Sequence, residues 1–128
     1  MDVRDAVEAD AEHLASLTDT PTDVMRNLVH DRTVRVAQRG GAIAGFVSYD
    51  AREQTVHVTQ MEGDRDTVER LLEEPIRFAR TEGMAVELLV PEDESELGEA
   101  ALAAGFEDVG GGPHFEGKPT SRYRLDWG

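Results

Sequence analysis

Cysteine is absent from the 128-residue sequence, and lysine occurs once, at Lys118. The first absence removes disulfides, thiolate nucleophiles and cysteine-ligated metals. The four histidines, His13, His30, His57 and His114, never stand at ligand spacing, so no metal site is expected. Long apolar runs are missing too. The stretch Met84 to Val90 is broken by Glu87 and falls far short of the roughly 20 residues a bilayer requires. The beginning of the chain is charged from Asp2 onward, with no apolar stretch and small-residue cleavage site. A cytoplasmic protein that does not associate with membranes is therefore expected. Nor is there a basic stripe to neutralise phosphates, so nucleic acid is not an expected partner.

Acid is plentiful. The sequence has 27 acidic residues against 13 basic ones, a formal net charge of −14. Self-repulsion of this size strains a small domain in dilute buffer. At molar salt the Debye length falls to roughly 3 Å and most of that penalty disappears. The acids are spread along the chain rather than blocked, which reads as halophilic adaptation; an acidic face for a basic partner is the alternative. Hydrophobic residues make up 39%, enough for one packed core, and residues 1–128 read as a single domain.

Periodicity sets the elements. Val3 to Ala6 reads as a first strand, and Glu8 to Leu17 as a helix with Ala11, Leu14 and Ala15 on one face. Thr20-Pro21 opens a second helix, with Thr20 as its cap and Val24, Met25, Leu28 and Val29 as its apolar face. Three alternating strands follow: Thr33 to Gln38, Ala42 to Tyr49 and Gln54 to Gln60, the first two joined at Arg39-Gly40-Gly41. Asp66 to Arg80 is the longest helical pattern, and Pro75 inside it is expected to kink or split it. Ala85 to Val90 reads as a strand buried on both faces, and Glu92 to Ala104 as a helix. Two more strands lie around Val109 and from Arg122 to Trp127. In the last, Tyr123, Leu125 and Trp127 alternate with polar residues and suit a core or a homodimer seam equally. The order is β-α-α-β-β-β-α-β-α-β-β.

Four local patterns in that order resemble the GNAT N-acetyltransferase superfamily. They are Val3-Arg4-x-Ala6-x-x-x-Asp10, Gly41-Ala42-Ile43-Ala44-Gly45-Phe46, Val58 with Leu71-Leu72 at the usual distance, and Ala104-Gly105-Phe106. The resemblance implies an α/β (α+β) fold: a single domain with a mixed, mostly antiparallel central sheet and helices on both faces. It also implies acetyl-CoA as acyl donor, its pantetheine arm lying between the fourth and fifth strands. By spacing, the pyrophosphate loop falls on Gly63 to Val68, and Val58, Gly63, Arg65, Thr67 and Val68 become the cofactor-binding candidates. The loop keeps the family's length but not its residues: Asp66 and Val68 stand at the two glycine positions. Asp66 with Glu69 three residues on also reads as a capping box, and Arg65 reads either as a phosphate ligand or as a solvated arginine.

The tyrosine that many family members place five residues before the Gly-Phe phenylalanine is Ala101 here, and Glu94 stands where an asparagine is common. His57, on the fourth strand, has an intrinsic pKa suited to a general base and is the catalytic candidate; a strand histidine with a purely structural role is the alternative. Glu53, Tyr49, Tyr123 and His114 are further options. The acceptor, a small-molecule or peptide amine, would be met at the Gly110 to Thr120 segment with His114 and Phe115. Two functions remain: an acyl-CoA-dependent N-acyltransferase, or a non-catalytic GNAT-fold module that senses or binds a partner.

Overall fold

The computed structural model describes residues 1–114 and 117–127; Phe115, offered above as part of the acceptor rim, lies outside the described residues. Among the described residues, seven strands form one sheet: β1 (Asp2–Asp5), β2 (Thr33–Arg39), β3 (Ala42–Arg52), β4 (Thr55–Glu62), β5 (Ala85–Pro91), β6 (Glu107–Gly111) and β7 (Thr120–Leu125). Four helices accompany them: α1 (Ala11–Thr18), preceded by a 3₁₀ turn at Glu8–Asp10, α2 (Thr22–Asp31), α3 (Arg65–Glu82) and α4 (Ser95–Ala103). The spatial order is β1-β2-β3-β4-β5-β7-β6, and every neighbouring pair is antiparallel except β4 with β5. The element order is therefore the expected one, and the sheet is mixed and mostly antiparallel. No helix among the described residues is long and apolar enough to cross a membrane.

Alternation along the strands divides the core into two layers. Val34, Val36 and Phe46 pack with Leu14 and Met25 of α1 and α2 on one face. Val47, Tyr49, Val56, Val58, Val86 and Leu88 pack on the other with Leu71, Leu72 and Ala79 of α3 and Ala100 and Ala101 of α4. Tyr123 belongs to this second core, while the Trp127 indole donates to the Met84 carbonyl at 2.7 Å under the Arg80 guanidinium.

The structure corrects three local expectations. Pro75 does not split its helix: α3 runs unbroken from Arg65 to Glu82. A helix-interior proline costs about 3 kcal/mol, whereas fully burying Leu71 and Leu72 contributes about 1.5–3 kcal/mol each, so packing wins. The cap of α2 is Pro21 rather than Thr20, whose hydroxyl donates to the Thr18 carbonyl instead. The cap of α3 is Asp64, not Asp66; Asp66 sits within the first turn, one residue after Arg65. The β3–β4 turn is Glu53-Gln54, with both residues at positive φ, which puts Glu53 at the end of β4 remote from the α3 N-terminus.

Candidate active site

Strands β4 and β5 pair over only four residues, from Thr55 with Ala85 to Val58 with Leu88. Beyond that point each strand keeps its outer neighbour. β4 stays with β3 as far as Glu62, and β5 stays with β7 as far as Pro91. Two parallel strands held apart in this way leave their facing backbone groups without ladder partners, and such groups seek hydrogen bonds elsewhere. Val58, one of the sequence-derived candidates, stands at the apex of the gap and is buried.

A bulge shapes the β4 side of the gap. Ser48 pairs with Gln60 and Tyr49 with Val58, so Thr59 has no opposite residue. The Thr59 and Ser48 hydroxyls lie 2.6 Å apart, and Thr59 also donates to the Ser48 carbonyl at 3.2 Å. This pins the extra residue to β3 and turns Thr59 to the face opposite α3.

His57 stands one residue before the apex on that same face, half-buried. Its register partners are Asp50 on β3 and Glu87 on β5, so a carboxylate flanks it on either side. Both acids are held by arginines. Asp50 pairs with Arg32, leaving its Oδ1 buried and without a partner, and Glu87 accepts from Arg122 at 3.0 Å and from Arg124. Burial opposes ionisation of Glu87, but the hydrogen bonds from Arg124 and Arg122 outweigh it and hold the carboxyl below its ordinary range. The flanking acids escaped sequence reasoning because cross-strand register is not written in either strand alone.

The mouth of the gap is a cavity of about 410 Å³ lined by Glu62, Gly63, Arg65, Val68 and the first residues before and within α4. Glu62, also missed from sequence, ends β4 there. Burial raises its pKa, and the nearby Glu94 charge adds to the effect. Its signal was the continuation of the β4 pattern past Gln60.

Four of the six expected loop positions are helical. Only Gly63 and Asp64 separate β4 from α3, and Thr67 and Val68 are buried in the first turn. The Thr67 amide donates to the Asp64 carboxylate at 2.9 Å, and the Val68 amide to the Asp64 carbonyl at 2.9 Å. The Thr67 bond is the main cause of the lowered Asp64 pKa. Gly63 has φ +143°, and a Cβ there would stand 2.8 Å from the Thr67 Cγ2. Arg65 donates to Glu69 at 2.7 Å and reaches across to Glu99 of α4 at 3.2 Å.

Ala101 is fully buried in α4. Near it, a Cβ at Gly98 would meet the Tyr123 hydroxyl at 2.9 Å, so the phenol of β7 occupies space beside that helix. Tyr123 is the register partner of Leu88 at the apex. Tyr49 instead packs under α3, where burial raises its pKa against a hydrogen bond from Arg35.

Solved structures share this architecture. A ribosomal-protein-alanine N-acetyltransferase from Brucella melitensis superposes with TM-score 0.83 at 17% identity, over 99% of this chain and 100% of that one. The yncA protein of Salmonella typhimurium, solved with its cofactor acetyl-CoA, gives 0.81 at 17% identity over 98% and 93%. A GNAT-family acetyltransferase from Streptococcus pneumoniae gives 0.75 at 21% identity over 98% of each chain. The chain has the GNAT fold. No protein-family model and no curated protein matches the sequence. Within the GNAT fold the parted β4 and β5 suit a neutral pantetheine arm. The α3 N-terminus, capped by the Asp64 carboxylate and with its arginine paired, is less suited to a diphosphate.

Proposed function

We propose that the chain is an N-acyltransferase that moves an acyl group from acetyl-CoA or a related thioester to an amine. The observation that supports this most directly is the opening of the sheet beyond Val58 and Leu88. It offers unpaired backbone edges to an extended thioester arm and leads to a face carrying His57. The thioester supplies an acyl carbon activated toward amines. The chain's own residues do the rest. Backbone edges at Thr59 to Met61 align the arm, His57 takes a proton from the acceptor ammonium, and the Tyr123 phenol stands on the other side of the apex as the proton source for the sulfur. The net charge of −14 favours acceptors that are cations at neutral pH, which suits a small-molecule or peptide amine.

A second reading, a non-catalytic module on the same fold, is favoured by one observation: the Asp64 carboxylate caps the α3 N-terminus through the Thr67 amide, where a diphosphate would bind. Backbone amide shifts during titration with acetyl-CoA in molar salt separate the two. The enzyme reading expects shifts at Thr59 to Met61. Their absence at millimolar ligand would leave only the module.

A further inference from the structure

We propose that the cleft recognises its donor through the acyl-pantetheine arm and draws almost nothing from the nucleotide, so that a pantetheine thioester serves as well as acetyl-CoA. This deepens the acyl-transfer reading and rests on it.

Four independent features at the mouth agree. The first concerns donors. A helix N-terminus binds phosphate through unpaired amides, and in α3 the Thr67 amide is already taken by the Asp64 carboxylate, which also places a negative charge at that helix end. The second is space. Gly63 would let a phosphate approach its backbone, but the Thr67 methyl fills the side where a Cβ would lie. The third is the state of the nearby cations. Arg65 is held between Glu69 and Glu99, and Arg39 lies 3.5 Å from the Asp64 carboxylate. The fourth is the sign of the field. Glu62, Glu94 and Glu96 line the mouth, and although Lys118 pairs with Asp93 there, the balance stays negative. A nucleotide diphosphate would displace Asp64, compete for Arg65 and sit among carboxylates.

The arm itself meets none of these obstacles. Pantetheine is neutral and extended, with amides that can pair with the free edges of β4 and β5, and those edges begin at Thr59 and Leu89, inside the mouth. The chemistry is the same for either donor. Starting from the ammonium, the nitrogen gives one proton to the base and bonds to the acyl carbon, the carbon–sulfur bond breaks, and the second proton lost from nitrogen balances the one taken up by sulfur.

The test is a titration of the full chain in molar potassium chloride with three probes: S-acetylpantetheine, acetyl-CoA, and the adenosine bisphosphate half of CoA. Backbone amide shifts and calorimetry provide the readouts. The expected result is dissociation constants for the two thioesters within about threefold, below 1 kcal/mol. The nucleotide should cause no shifts at Arg65 to Val68. Acetyl-CoA binding tighter than S-acetylpantetheine by about 100-fold or more overturns the inference and leaves acyl transfer standing. Failure of both thioesters to shift Thr59 to Met61 at millimolar concentration overturns the acyl-transfer reading itself. The double change Glu69→Gln/Glu99→Gln, both at exposed positions, removes both carboxylates that hold Arg65 and should raise acetyl-CoA affinity relative to S-acetylpantetheine severalfold. An unchanged ratio counts against the proposed block.

Discussion

The Asp64 carboxylate accepts the Thr67 amide at 2.9 Å, so the second residue after β4 is the cap that starts α3. Asp64→Ala should lower the melting temperature by a few degrees through loss of this cap. The pH dependence has a definite sign. The folded-state pKa of Asp64 is depressed, so its stabilisation is present above the unfolded carboxylate value and fades as pH falls through the folded one. Thermal melts of both proteins should differ at neutral pH and converge in acid. A constant gap across that range would contradict the capping account.

Arg4 and Asp10 form a two-bond pair, at 2.9 and 3.0 Å, and Asp10 also accepts the Val7 amide at 2.8 Å. The hydrogen bond from Arg4, with help from Val7, holds the Asp10 pKa below its usual range despite burial. Asp10→Ala should cost about 2 kcal/mol in urea unfolding at neutral pH, because a charged bidentate contact and a backbone bond vanish together. That loss too should shrink as pH drops through the carboxylate range, since the wild-type contact is itself protonated away.

Gly45 has no room for a side chain: a Cβ would stand 2.3 Å from the Glu62 carbonyl and 2.8 Å from the Thr67 methyl. Gly45→Ala should destabilise the fold by about 1–3 kcal/mol, because the nearest obstacle is backbone and cannot rotate aside. The same shift would disturb the end of β4, so thioester affinity should fall with stability. Denaturant unfolding with a parallel titration reads both.

His57→Ala should lower turnover by about 10² to 10⁴-fold while leaving thioester affinity near the wild-type value. Rate–pH profiles with an amine acceptor check this. Full activity in the variant would remove His57 from the chemistry and return it to a structural role between Asp50 and Glu87.

Much of the fold was legible in the sequence because its signals are local. Gly40 and Gly41, at φ +61° and +86°, make the β2–β3 turn where Arg39-Gly40-Gly41 announced it. Val34 with Val36, and Val56 with Val58, each share one face as their alternation implied, and only the structure sends the two pairs to opposite layers of the core. The candidate site was legible only in outline. A capping box at Asp66 and Glu69 competes in the sequence with the true cap at Asp64, because aspartate suits the N-cap at either position and only Asp66 has a Glu three residues on. The choice falls to Asp64 where β4 continues to Glu62 and Thr67 packs beside Gly45.

What the sequence determined by itself was the set of elements, their order, and the excess of acid. These follow from periodicity, turn residues and composition, which act over a few positions at a time. Tertiary structure alone decided that β4 and β5 part after four pairs, that Asp50 and Glu87 flank His57, and that Arg65 is bridged to Glu99. Those facts depend on strand register and on contacts between residues up to tens of positions apart, which no local pattern encodes.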